Sequence, residues 1–359
     1  MAELADIFND WQKFYTKSLT AEQYHAINDI CACRTPEMGS GVLYSCPNCK
    51  TPHFSWQSCG NRNCPKCGND KITKWLSKRQ QELLPVDYYM NTFTLPSELR
   101  GLCRRFPKEV YGVFFSAASS ALKELALDKR FLGAEIGIIG TLHTWRRDGE
   151  FHPHIHFLLP GGGLSKDGCY WVFPKNKKVL IAPTPLAKLF KGKLKAELQK
   201  LDLLKFVPKN AWLKKWVVHS KNVGNGMSSF KYLATYMQRI FISNNRIVEY
   251  DGTNVTFKYK DSKNGQTHYR TMHALEFMKM FLQHVLPLGF QKTRYYGFLG
   301  SARKKVIKDI RTIILINRGQ PPSEPEEFKT PFFKCKKCGV KITLINAGAR
   351  SPPQGAVII

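Results

Sequence analysis

The chain has 359 residues, is 43% hydrophobic, and carries 55 Lys+Arg against 27 Asp+Glu, a formal net charge of +28. That length allows two or three buried cores, and the apolar content excludes global disorder. The positive excess is costly in self-repulsion, and because basic residues recur throughout the chain it points to nucleic acid as partner. Met1 to Asp10 is acidic and lacks the apolar run of a secretory signal. No stretch reaches the ~18 uncharged apolar residues of a membrane span, so no membrane partner and a cytoplasmic location are expected.

Residues 1–30 read as helical, with Leu19-Thr20-Ala21-Glu22 marking a helix start. Residues 31–70 hold seven of the eleven cysteines among Gly, Pro and Asn, a loop-rich module stapled by metal rather than by disulfides. A charged helix is expected near Asn69 to Leu84, then a strand from Tyr88 to Leu95 ending at Pro96. Residues 105–127 read as an amphipathic helix, Ile136 to Trp145 as a strand, and Phe151 to Leu159 as a third strand closed by Pro160-Gly161-Gly162-Gly163. Lys175 to Leu204 reads as mostly helical, Trp216 to His219 as a short strand, and Ser228 to Arg239 as a helix. Ile247 to Tyr259 reads as a strand pair around Asp251-Gly252, with helices at Ala274 to Val285 and Ser301 to about Ile316. Residues 319–331 form a linker-like break before a weakly structured tail. Strands interspersed with helices but without a βαβ rhythm predict an α+β fold.

Cys46-x2-Cys49 and Cys64-x2-Cys67 are two knuckles fourteen residues apart, and together they predict one four-thiolate structural Zn2+ site. Cys59, His53, Cys31 and Cys33 lie close enough to swap into it or to build a second site. A zinc closed by four thiolates has no open position, so the module is architectural or DNA-contacting. Arg62 and Lys66, with Asn61 and Asn63, are its candidate phosphate contacts. Cys335-x2-Cys338 supplies two ligands and cannot close a site alone, and Cys103 and Cys169 read as ordinary buried residues.

The run His152-Pro153-His154-Ile155-His156 places imidazoles at alternate positions, on one face if it is a strand. His154 and His156 suit a divalent cation; His152 is a weaker third ligand because of Pro153, with His143, Glu150 and Gln238 as other candidates. Tyr232 and Tyr236 share a face if their segment is a helix. In isolation such a pair reads as core packing, but Lys231, Gln238 and Arg239 make its surroundings basic and polar. Beside a cation, a tyrosine can attack a phosphodiester, leaving a 5′-phosphotyrosine and a 3′-OH, and a second tyrosine permits a second cleavage while the first end is held. Arg246, Lys292 and Arg294 extend the basic track.

These blocks together resemble the rolling-circle transposases of the insertion-sequence-ninety-one family, within the His-hydrophobic-His endonucleases. The resemblance rests on Ala32-Cys33-Arg34-Thr35, Ser58 to Cys67, Phe93-Thr94-Leu95-Pro96, Leu142 to Trp145 with His152 to Ser165, Trp216 to His219, Lys231 to Ile247, and His284 to Gly297. It covers roughly residues 5–315. It implies a zinc-binding domain followed by a central antiparallel sheet carrying the histidines, with a tyrosine helix beside it. It also implies Mg2+ or Mn2+ at His154 and His156, nucleophiles at Tyr232 and Tyr236, and single-stranded DNA at mobile-element ends plus a target DNA as partners, at the nucleoid of a bacterial cell. Trp11 and Asn63 stand where relatives often carry histidine, which argues against a second N-terminal metal site.

The expected domains are residues 1–85 (helical and zinc-binding), 86–265 (catalytic), 266–318 (basic, helical) and 319–359 (linker and tail). A plasmid replication initiator or relaxase shares the chemistry, and a non-catalytic zinc-dependent DNA-binding protein is the alternative of another class. The sequence leaves the oligomeric state open.

Overall fold

The computed structural model describes residues 2–15, 19–79, 82–224, 234, 239–261, 264–303, 306–320 and 332–359. Helices α1 (Leu4–Trp11) and α2 (Ala21–Ala32) open the chain. The Thr20 hydroxyl accepts from the Gln23 N–H while the Gln23 side chain accepts from the Thr20 N–H, a reciprocal cap at the start of α2. A hairpin of β1 (Gly41–Ser45) and β2 (Pro52–Trp56) follows, then α3 (Gly68–Arg79). The middle of the chain contributes β3 (Tyr88–Thr94), α4 (Arg100–Arg105), α5 (Pro107–Leu127), β4 (Ile138–Trp145) and β5 (Phe151–Pro160). It continues with a ribbon of β6 (Gly163–Leu164) and β7 (Trp171–Val172), then α6 (Pro183–Lys200), α7 (Asn210–Leu213) and β8 (Val218–Asn222). The last third supplies β9 (Ile247–Tyr250), β10 (Asn254–Lys260), β11 (Thr267–His273), α8 (Ala274–Leu282), β12 (Thr293–Tyr296), α9 (Val306–Asn317), β13 (Thr343–Ala349) and β14 (Val357–Ile358).

The central sheet has five antiparallel strands in the order β12-β4-β5-β3-β8. This is the expected α+β arrangement, with the histidine strand β5 in the middle. Period-two alternation sorts its side chains. Tyr89, Phe93, Ile138, Leu142, Ile155, Phe157 and Leu159 point to one face and pack under α5 and α6, against Phe114, Phe115 and Phe190. Phe157 lies edge-on to Phe93 (5.4 Å) and Phe115 (6.2 Å). A Cβ on Gly140, its partner on β4, would overlap the Phe157 ring. Truncating a buried phenylalanine of this kind costs about 3–5 kcal/mol.

The opposite face is divided. Tyr88, Met90, Ile139 and Leu158 form its apolar end, closed by Ile307, Ile310 and Ile314 of α9. In the same registers, toward the other end, stand Thr92, Thr94, Thr141, His143, His154 and His156. The site therefore occupies the polar half of one sheet face, while the other half and the reverse face are packed hydrophobic core.

A second core joins distant parts of the chain: Leu4, Ile7 and Phe8 of α1 pack with Val255 and Phe257 of β10 and with Phe277 and Phe281 of α8. The sheet β11-β10-β9 belongs to this core, and its third strand was not legible in the sequence: Thr267 to His273 shows no apolar alternation because most of its side chains face solvent. A boundary at residue 265 falls between the paired strands β10 and β11. The tail also differs from its expected weak structure. β13 pairs with β1 and β14 pairs in parallel with β2, so residues 343–358 extend the cysteine module's own sheet.

Candidate metal centre and nucleic-acid interface

Antiparallel pairing sets His143 directly opposite His154, and Thr141 and Thr92 on either side of His156. One ring nitrogen from each of His143, His154 and His156 lies within 4.8 Å of the others. The outward nitrogens are occupied: His154 Nδ1 lies 2.7 Å from the His152 carbonyl oxygen, to which it donates, and His156 Nδ1 lies 2.9 Å from Thr92 Oγ1. A hydrogen bond on Nδ1 of this kind is the usual way the tautomer of a metal-ligating histidine is fixed. Burial lowers all three basicities: His154 is pushed down to about 4, and His143 and His156 fall well below the ordinary histidine value. The rings are therefore neutral at physiological pH and can offer lone pairs, so the residues present fit a divalent cation.

His152 does not join this cluster. Its Nδ1 faces the Arg100 guanidinium at 3.2 Å, and burial, with Arg100 second, pushes it down to about 4. The third converging imidazole is His143, which needs the β4–β5 register rather than local spacing to be found. Glu150 is turned away, 3.1 Å from the Arg270 guanidinium.

A cavity of about 480 Å³ opens over the three rings. Thr92, Thr94, Trp145, Arg147, Asp148 and Arg239 line it, with Tyr259, Lys260 and Asp261 from the end of β10. A second cavity of about 580 Å³ shares Arg147, Arg239, Tyr259 and Lys260 and continues to Arg246, Lys258 and Tyr269. Basic groups with interleaved aromatic rings suit a single nucleic-acid strand, with phosphates on the cations and bases on the rings. The sequence reading missed the wall made by residues 258–261, which only tertiary packing brings to the histidines. It also missed Thr92 and Thr94, although the alternation of Tyr88 to Leu95 does contain their facing.

Other expected phosphate contacts are committed inside the protein. Arg62 donates to the Phe290 carbonyl at 2.7 Å. Lys66 pairs with Glu3 at 2.6 Å. Arg246 donates to the carbonyls of Lys258, Phe241 and Arg147, and burial pushes its pKa down to about 10. Lys292 donates to the Arg239 carbonyl at 2.7 Å, and Arg294 lies over the rings of Phe115 and Phe290. Among the described basic candidates, Arg239 is the one that lines both cavities. Tyr232, Tyr236 and Lys231 lie outside the described residues, as does Gln238; Ala234, between the tyrosines, is fully buried with Leu76, Ile307 and Ile310.

The cysteines divide differently from the spacing expectation. Cys64 and Cys67 gather with Cys33 and Cys59, not with Cys46 and Cys49. Cys33 and Cys59 each have their sulfur 3.7 Å from that of Cys67. Tetrahedral zinc with sulfurs at about 2.3 Å places them about 3.8 Å apart, so this donor set fits one ion. The reason for the regrouping is directional. Gly68 has helical φ (−61°) and α3 begins there, and the Cys64–Cys67 turn before it buries both cysteines with Cys33 in the core of Ile27 and Ile30. Cys46 and Cys49 project from the β1–β2 hairpin instead and gather with Cys335 and Cys338 of the tail. The expectation of a single N-terminal cluster is corrected to two groups, neither using Trp11 or Asn63. Cys169 is exposed rather than buried.

Two family models match this chain: one described as "Transposase zinc-binding domain" over residues 4–95, and one described as "Putative transposase" over residues 137–306. Among curated proteins, the chain is 33% identical over 389 aligned positions to "Putative transposase y4qJ" of Sinorhizobium fredii, spanning 98% of this chain and 97% of that protein. It is 25% identical over 371 positions to "Transposase for insertion sequence element IS801" of Pseudomonas savastanoi pv. phaseolicola, spanning 93% and 86%. With both matched regions joined in one chain and likeness across nearly its full length, this protein belongs to the insertion-sequence-ninety-one family of transposases.

Proposed function

We propose that this transposase nicks and rejoins single-stranded DNA at the ends of its element through 5′-phosphotyrosine intermediates, in rolling-circle transposition. The observation that carries the reading is the convergence of His143, His154 and His156 beneath a basic, aromatic-walled cavity. A bound Mg2+ or Mn2+ would polarise the scissile phosphate and stabilise charge developing on it. The three neutral imidazoles would hold the ion, with Thr92 and the His152 carbonyl fixing two of them. Arg147, Arg239 and Lys260 bind flanking phosphates and orient the strand.

Tyr232 or Tyr236 then attacks phosphorus. A Tyr–O–P bond forms and the P–O3′ bond breaks; the phenol gives up its proton and the 3′-oxygen takes one up. The new ester retains the energy of the old one, so a 3′-OH can reverse the step on the same or another strand, such as target DNA. Arg239, three residues beyond Tyr236, lines the histidine cavity, which supports placing the tyrosine segment at this site.

The direct test uses a 3′-labelled oligonucleotide spanning the element end, with the full chain and Mn2+. Covalent protein–DNA adduct is expected from the wild type and none from Tyr232→Phe combined with Tyr236→Phe. Undiminished adduct in that double variant would overturn the assignment.

A further inference from the structure

Cys335 and Cys338 lie outside both matched regions, yet their surroundings are built. Two turns face each other across the cysteine module, and their backbones match position by position. In the first, the Cys46 N–H donates to the Thr51 carbonyl (3.1 Å) and the Lys50 N–H donates to the Cys46 carbonyl (3.0 Å). In the second, the Cys335 N–H donates to the Val340 carbonyl (2.8 Å) and the Gly339 N–H to the Cys335 carbonyl (2.9 Å). The residue after the second cysteine is left-handed in both, Lys50 at φ 56° and Gly339 at φ 74°. Lys50 accepts a conformation that disfavours side chains, which marks the turn as demanded by its surroundings.

The sulfurs converge. Cys46 and Cys338 lie 3.4 Å apart and Cys49 and Cys335 lie 3.6 Å apart, with all four within 4.8 Å of one another. These separations are close to the edges of a tetrahedral thiolate site and far longer than a sulfur–sulfur bond. The outer partners suit thiolates: His53 Nε2 lies 3.2 Å from the Cys335 sulfur, the Lys337 N–H points at it from 3.4 Å, and Thr51 Oγ1 lies 3.2 Å from the Cys49 sulfur.

We propose that Cys46, Cys49, Cys335 and Cys338 hold a second structural zinc, a ribbon whose two knuckles come from opposite ends of the chain. The ion ties the tail to the N-terminal module, where β13 and β14 flank the β1–β2 hairpin. Around the cysteines the tail places Ile342 and Ile359 against Tyr44 of β1, with the Phe333 ring 5.6 Å from that of Tyr44, so the ion would reinforce the β13–β1 and β14–β2 pairings.

The test measures zinc per chain in full-length protein purified with reductant and without chelator. Cys335→Ser combined with Cys338→Ser should lose one zinc relative to wild type and keep the other. In the zinc-loaded wild type, Cys49 and Cys338, though exposed, should resist alkylation together with Cys46 and Cys335, and all four should become reactive together on chelation. Unchanged zinc content in the double variant would overturn the proposal, as would free alkylation of Cys338 in the zinc-loaded protein, or two disulfides among the four cysteines.

Discussion

His143 on β4 faces His154 on β5 across an antiparallel pair, their ring centroids 5.4 Å apart, with His156 4.9 Å from His143 on the same face. The pairing brings His143 into the cluster with His154 and His156, whereas His152 lines the same cavity without joining that cluster. Replacing His143 with Ala should therefore weaken Mn2+ binding by more than the ~10–100-fold typical of losing a supporting group, and should abolish adduct formation. His152→Ala should stay within a few-fold of wild type. Titration calorimetry with Mn2+ on both variants decides the matter, and equal losses would count against the assignment of three ligands.

Thr92 lines the cavity and hydrogen-bonds His156 Nδ1, which ties it to the cluster through that ring. Thr92→Val removes the 2.9 Å bond to Nδ1 and should cost about 10–100-fold in Mn2+ affinity. Thr92→Ser should restore most of it, whereas a purely steric role for Thr92 would favour Val over Ser.

His284 gives the fold a pH dependence away from the metal site. It lies between Thr144 Oγ1 and the Gly149 carbonyl, and burial pushes it down to about 3. An unfolded histidine titrates near 6.5, so between these values the unfolded chain binds a proton that the folded chain refuses. Its stabilising contribution is full above about pH 6.5 and is lost as pH falls toward 3, with a total of the order of a few kcal/mol. Urea midpoints at pH 7 and pH 4.5 should fall more in the wild type than in His284→Gln. Equal falls would show that this histidine does not carry the effect.

Phosphate contacts should be found where cations face the cavities. Arg147→Gln, Arg239→Gln and Lys260→Gln should each weaken single-stranded DNA binding and flatten the salt dependence by about 0.7 in log–log slope, one phosphate's worth. Arg62→Gln should leave the slope unchanged, because its guanidinium is committed to the Phe290 carbonyl. A reversed pattern would place the DNA on the zinc module instead.

Gly297 turns the chain from β12 under the central sheet at φ 61°, and a Cβ there would overlap the Ile136 carbonyl oxygen. Backbone cannot swing aside as a side chain can, so Gly297→Ala should cost more than the ~1–3 kcal/mol of left-handed strain alone. Gly289 has a similar φ (69°) with open space around it, and its Ala variant should show the strain alone. Thermal unfolding of both variants compares the two, and equal melting points would remove the steric argument.

The sequence by itself determined what depends on local order. Alternation in Tyr88 to Leu95, Ile136 to Trp145 and Phe151 to Leu159 determined three central strands and the common facing of His154 and His156, because side chains reverse every residue along any strand. Thiolate spacing identified the knuckles, and the ordered motifs identified the family. Tertiary structure decided which knuckles lie together, which imidazole completes the cluster, and which cations face outward. Those outcomes depend on strand register and on the direction each turn leaves its element. Cys46 meets Cys338 through a pairing between opposite ends of the chain, and His143 meets His154 only in the register that the β4–β5 pair adopts, which the spacing of the residues does not specify.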